Sequence, residues 1–162
     1  MQLLIVWHSA TGGTRQMAEA AAEGAATEPS VDVRIVTAAN AGPGDLIAAD
    51  GYLFATPENL AAMAGVMKDF FDRGYYGVLD RLNGRPYASM ICAGSDGENA
   101  ARQIARIATG WRLRAVAPPL IVCTRAQTAE AIQAPKTIGA EDLGRCRDLG
   151  AALAVGLAAG VF

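Results

Sequence analysis

The sequence predicts an α/β fold of the doubly wound type, with one sheet held between two helical layers. Three observations carry that expectation. Short apolar runs alternate along the 162 residues with longer stretches of helical periodicity. Most of these runs lack polar alternation, as strands buried on both faces of a parallel sheet do. Small and polar residues gather where the runs end, on the side of such a sheet where ligands bind.

The elements follow in order. Leu3–Trp7 is an apolar first strand, with neither the basic region nor the small-residue cleavage pattern of a signal peptide before it. Thr14–Ala26 is an Ala-rich helix. Val31–Val36 alternates apolar and polar residues, which predicts a half-exposed edge strand. Gly44–Ala49 makes a short helix in the second crossover, and Gly51–Ala55 the third strand. Leu60–Arg73 has helical periodicity, with Met63, Met67 and Phe70 on one core-facing side. Tyr87–Ala93 and Leu120–Cys123 are further strands, separated by a helix over Gly97–Thr109. A last helix begins near Ala140, and Ala151–Phe162 reads as its buried end, too short for a bilayer span of about 20 residues. Right-handed crossovers would join five strands into one domain over residues 1–162.

Composition narrows the function classes. Hydrophobic residues make up 52% and charged residues 19%, which excludes a disordered chain. A net charge of −2 without a basic run excludes nucleic acid as the expected partner. Cys92, Cys123 and Cys146 are odd in number and widely spaced, as expected of reduced structural thiols in the cytoplasm. No Cys/His/Asp/Glu cluster has metal-ligand spacing, so no metal is expected.

The chemistry lies at three strand ends. Ser9-Ala10-Thr11-Gly12-Gly13-Thr14 turns the chain from the first strand into a helix. The first helical turn carries unpaired N–H groups and partial positive charge, and the small residues admit a phosphate to them. The loop has no P-loop lysine and lacks the Gly-x-Gly-x-x-Gly spacing of a dinucleotide site. At the second strand end, Pro57 stiffens Thr56-Pro57-Glu58-Asn59-Leu60, and Asn59 tolerates left-handed backbone. At the third, Gly94 and Gly97 permit close approach of the backbone, and Ser95 or Asp96 suits a helix N-cap.

The first loop resembles the flavodoxin phosphate loop, Ser/Thr-x-Thr-Gly-x-Thr. Thr56–Leu60, followed by Met63-Ala64-Gly65-Val66-Met67-Lys68-Asp69-Phe70-Phe71-Asp72-Arg73, resembles flavodoxin-fold NAD(P)H-dependent FMN and quinone reductases. The resemblance covers nearly the whole chain in order. It implies a flavodoxin-like three-layer sandwich, a five-stranded parallel sheet of order 2-1-3-4-5 with helices on both faces. It also implies FMN as cofactor. Ser9, Ala10, Thr11, Gly12, Gly13 and Thr14 would hold its phosphate, Thr56, Pro57, Glu58, Asn59 and Leu60 its ring, and Gly94, Ser95, Asp96 and Gly97 its pyrimidine side.

The implied activity is NAD(P)H-dependent transfer of electrons through FMN to a quinone or other small-molecule or protein acceptor. The alternative is a non-enzymatic flavodoxin-type carrier. Many flavodoxins cover the ring with Trp and Tyr, yet neither Thr56–Met63 nor Cys92–Asn99 holds an aromatic residue. An uncovered ring favours the reductase, and a homodimer is a family possibility. Asp96 and Glu98, if close, would disfavour negative charge on a reduced flavin. No side chain is required as an acid or base. His8 is the only histidine and reads as structural more readily than as a proton carrier. Arg15 faces either phosphate or solvent, and Tyr75 and Tyr76 are placed in a loop after the Leu60–Arg73 helix. A phosphate-receiving signalling domain needs acids at positions held by His8-Ser9 and Ala55-Thr56.

Overall fold

The computed structural model describes residues 1–162. Its elements are β1 (Gln2–Trp7), α1 (Gly13–Ala25), β2 (Asp32–Thr37), α2 (Pro43–Ala48), β3 (Gly51–Asn59), β4 (Ala62–Met63), α3 (Gly65–Val78), β5 (Pro86–Ala93), α4 (Glu98–Gly110), β6 (Arg114–Ala115), β7 (Leu120–Cys123), α5 (Ala129–Gln133) and α6 (Ala140–Ala158). The parallel sheet runs β2-β1-β3-β5, and β6 and β7 both pair with β5 on its outer edge. This is the flavodoxin-like order expected, with the fifth strand in two pieces. Pro118 and Pro119 stand between the pieces, and a residue without N–H cannot continue a ladder.

The apolar runs are explained by burial on both faces. Leu4, Val6, Tyr52 and Phe54 pack into one core with Met67, Phe70, Phe71 and Trp111. Leu3, Ile5, Leu53 and Ala55 pack into a second core with Met17, Ala21, Leu153 and Leu157. Alternate side chains of each central strand thus enter different cores, so no solvent-facing position remains to impose polar alternation. β2 is the exposed edge its alternation predicts. Met63, Met67 and Phe70 are buried, as expected of core, but only Met67 and Phe70 share a helix face, since Met63 lies on β4. Trp7 packs half-buried against the second core.

On the second face α1 and α6 nearly touch. A Cβ on Gly24 would overlap the Arg147 carbonyl, and one on Gly150 would overlap that of Ala21. Glycine here buys close helix approach at the usual cost in helix propensity.

Three boundaries depart from expectation. The Leu60–Arg73 helix begins later, at Gly65, because β3 continues to Asn59 and turns back through Leu60-Ala61 into antiparallel β4. That helix also runs on to Val78, so Tyr75 and Tyr76 lie on α3 and not in a loop; both are exposed. The last helix ends at Ala158, and Val155 and Val161 are exposed, so the Ala151–Phe162 end is only partly buried. No helix is long and apolar enough to cross a membrane.

Candidate functional site

All parallel strands present their carboxyl ends to one side, and the loops there surround a cleft of about 730 Å³. Of the residues expected from sequence, Ser9, Ala10, Thr11, Gly13, Thr14, Pro57, Glu58, Asn59, Leu60, Gly94 and Ser95 line it. Gly12, Thr56, Asp96 and Gly97 do not, and each has a structural task instead.

The first loop is organised from within. The Gly12 N–H donates to Ser9 Oγ at 3.0 Å, and Gly12 takes φ 89°, a left-handed value suited to glycine. α1 therefore starts at Gly13 with no side chain capping its first turn. Its leading N–H groups have no acceptor along the helix and carry the positive end of the dipole. Thr14 is 1% exposed, and its Oγ1 has no nitrogen or oxygen hydrogen-bond partner, only the weakly interacting Cys92 thiol beside it. A buried hydroxyl without a partner costs stability. Here it sits in the wall of the cleft, next to the uncapped start of α1.

The second wall is a hairpin. Thr56 is fully buried; its hydroxyl donates to the Pro57 carbonyl at 3.1 Å and accepts from the Ala64 N–H at 3.2 Å. It fixes the hairpin root and does not face the cleft. The turn uses left-handed backbone at Leu60 (φ 50°) and Ala61 (φ 58°), whereas Asn59, the expected left-handed residue, stays on β3. Non-glycine residues pay for this conformation. Side chains of α4 hold the turn in place. Asn99 Nδ2 donates to the Ala61 carbonyl, and Gln103 Oε1 accepts from the Met63 N–H at 2.9 Å. Leu60 is fully exposed at the tip, and Glu58 Oε2 is buried without a partner.

In the third loop the N-cap of α4 is Gly97 (φ 91°), not Ser95 or Asp96. A Cβ there would lie 2.7 Å from Ile121 Cγ2, so Gly97 is a packing position. Asp96 is exposed and accepts from the Glu98 N–H at 3.3 Å.

A fourth wall was not anticipated. The strap after β7 brings Thr124, Ala126, Ile132, Gln133 and Lys136 into the cleft. The signal was architectural: β7 ends on the same side as the other parallel strands, and its loop belongs to the site for that reason. The strap is tied to the first loop. The Lys136 N–H donates to the Thr11 carbonyl at 2.8 Å. Gln16 Nε2 donates to the carbonyls of Gly12 (2.9 Å) and Lys136 (2.7 Å), while its Oε1 accepts from the Ile138 N–H at 3.1 Å.

Cys92, expected to be only structural, also lines the cleft beneath Gly13. Burial pushes its thiol pKa up, opposed by the neighbouring Thr14 hydroxyl and the Lys136 charge. All three cysteines are free. His8 lies outside the cleft, and burial lowers its pKa, which favours the neutral imidazole. Arg15 points away and meets Glu19 at 3.7 Å in an exposed pair. No aromatic side chain lines the cleft.

The fold is flavodoxin-like, and the cleft opens at the uncapped start of α1. Residues 44–129, just over half of the chain, match the family model of NADPH-dependent FMN reductases, and the chain belongs to that family. It is 34% identical to a flavodoxin of Aquifex aeolicus over 92 residues, 57% of this chain and 48% of that protein. It is 37% identical to an NAD(P)H dehydrogenase (quinone) of Acidithiobacillus ferrooxidans, over 44% of this chain and 46% of that protein. The chain spans about half the length of the curated relatives it matches. A solved flavodoxin from the domain Archaea superimposes with a TM-score of 0.78 at 21% identity, covering 98% of this chain and 99% of its own. FMN reductases and flavodoxins bind FMN. The unpartnered Thr14 hydroxyl at a free helix start, and a cleft within the roughly 300–1,000 Å³ of small-molecule sites, fit that group.

Proposed function

We propose that this chain holds FMN in the cleft and acts as an NAD(P)H-dependent cytoplasmic oxidoreductase serving a quinone or another acceptor. The carrying observation is the phosphate corner, where the leading N–H groups of α1 and the buried, unpartnered Thr14 hydroxyl meet. Ser9, Thr11, Gly13 and Thr14 would hold the phosphate. Pro57, Glu58, Asn59 and Leu60 would lie along the ring, with Gly94 and Ser95 at its pyrimidine side. Gly12, Thr56, Asp96 and Gly97 act behind this layer by shaping the loops. Bound FMN supplies the redox chemistry, as one- or two-electron exchange.

The protein's own contribution is binding, orientation and exclusion. Glu58 Oε2, buried and without a donor, accepts a hydrogen bond from whatever N–H the ligand presents to the hairpin. The absence of an aromatic cover leaves room for a nicotinamide or a quinone against the ring. That absence favours the reductase over a carrier, while the flavodoxin relative supports the carrier as second reading.

Two measurements test this. The absorption spectrum of the purified protein, before and after adding FMN, should show bound flavin; a protein that takes up none overturns the reading. Anaerobic rapid mixing of the loaded protein with NADH and NADPH should bleach the flavin on a turnover timescale. Negligible bleaching by either nucleotide leaves the carrier.

A further inference from the structure

Among the residues lining the cleft, Lys136 is the only cation and Glu58 the only carboxylate. Glu58 belongs to the hairpin. Lys136 belongs to the phosphate corner: its N–H is on the Thr11 carbonyl, and its Cβ lies 3.3 Å from where a Cβ of Gly13 would be. The strap segment around it is fastened to α1 by both ends of the Gln16 amide. The Lys136 ammonium donates to the carbonyls of Ala131 (2.8 Å), Ile132 (2.8 Å) and Ala134 (2.5 Å), at the end of α5. Those acceptors are neutral, and no carboxylate pairs with the ammonium. Its full charge is met within the chain only by carbonyl dipoles, while its backbone and Cβ adjoin the start of α1.

A phosphate monoester carries nearly two negative charges at pH 7. Helix N–H groups and hydroxyls supply hydrogen bonds and about half a positive charge. A mobile point charge on a long stem supplies the rest, and an ammonium can trade a neutral carbonyl for a charged oxygen. Resting on the FMN reading above, we propose that Lys136 is the counter-charge of the cofactor phosphate. It exchanges at least one α5 carbonyl for a phosphate oxygen when the cofactor binds. The cation that the first loop lacks thus comes from the strap, 120 residues beyond Gln16.

The discriminating comparison is FMN against riboflavin, which differ by the phosphate alone. Flavin fluorescence titrations of wild type, Lys136→Met and Lys136→Arg are measured at low and moderate salt. Lys136→Met should weaken FMN binding about tenfold or more and leave riboflavin binding within about twofold. Lys136→Arg should stay close to wild type, and the salt dependence of FMN binding should flatten in the methionine variant only. If Lys136 merely caps α5, both ligands weaken together or neither does, and the proposal falls. Should Lys136→Met lose the fold by circular dichroism, Lys136→Gln carries the same comparison, since its amide still donates to the α5 carbonyls. Wild type that binds no FMN would overturn the cofactor reading itself; wild type and methionine variant binding FMN equally would overturn only the role of Lys136.

Discussion

The two ends of the cleft are built on different principles. The phosphate end is stitched across the sequence: Ser9 holds Gly12, Gln16 holds Gly12 and the strap, and the strap holds Thr11. The ring end is a two-residue turn of non-glycine residues in left-handed backbone, tipped by a fully exposed leucine and pinned from α4. The first end holds its backbone donors fixed, and in the proposed role only the Lys136 ammonium has to move. The second carries strain and exposed apolar surface, which under the proposed function would suit an end that admits exchanging partners. On the proposed reading, specificity for the phosphate and openness towards substrates fall to separate parts of one site.

The largest expected effect comes from unstitching the phosphate end. Gln16→Ala removes three hydrogen bonds and leaves the Ile138 N–H unpaired; it should cost about 1–3 kcal/mol of stability. FMN affinity should fall more than riboflavin affinity in parallel titrations, and an equal fall would erase the distinction between the ends. Gly13→Ala places a Cβ 2.6 Å from Cys92 Sγ and should cost about 1–3 kcal/mol by overpacking, read as a lower thermal midpoint.

Thr14→Val is the sharper probe, because its two effects have opposite signs. Removing an unpartnered buried hydroxyl should leave stability unchanged or raise it by up to about 1 kcal/mol. FMN affinity should drop about tenfold, since a charge-assisted hydrogen bond is lost. Denaturant unfolding of the cofactor-free protein and flavin titration give the pair. A destabilised variant with intact affinity would show that the hydroxyl serves the core.

At the ring end, Ala61→Gly relieves left-handed strain and should stabilise by about 0.5–1 kcal/mol. FMN and riboflavin affinities should move together or not at all. The smallest effect concerns the thiols. Burial pushes Cys146 up to about 11 and raises Cys92, while Cys123 is exposed. At pH 8 the buried pair stays protonated, so a disulfide reagent should label one thiol quickly in the native protein and three after unfolding. Rapid labelling of Cys92 would mean that the floor of the phosphate end opens.

Much of this was legible in the sequence. The unalternating runs Leu3–Trp7 and Gly51–Ala55 show burial on two faces, and Ser9–Thr14 shows a strand-to-helix turn with room for an anion. Leu60-Ala61 was not legible, since such hairpins are signalled by Asn-Gly or Asp-Gly and helical periodicity ran straight through it. The strap escaped because its five-residue α5 has no buried residue and hence no apolar pattern. Its importance rests on Gln16 and Lys136, which only the folded chain brings together. Cys92 read as core for a good reason: it is core, and the cleft floor is core as well.

The central claim is that this cleft grips its cofactor by the phosphate. The affinity ratio of wild-type protein for FMN over riboflavin tests it most directly, by fluorescence titration of cofactor-free protein. The phosphate corner predicts a ratio of about one hundred or more in favour of FMN. Equal affinities, or binding of neither flavin, would contradict it.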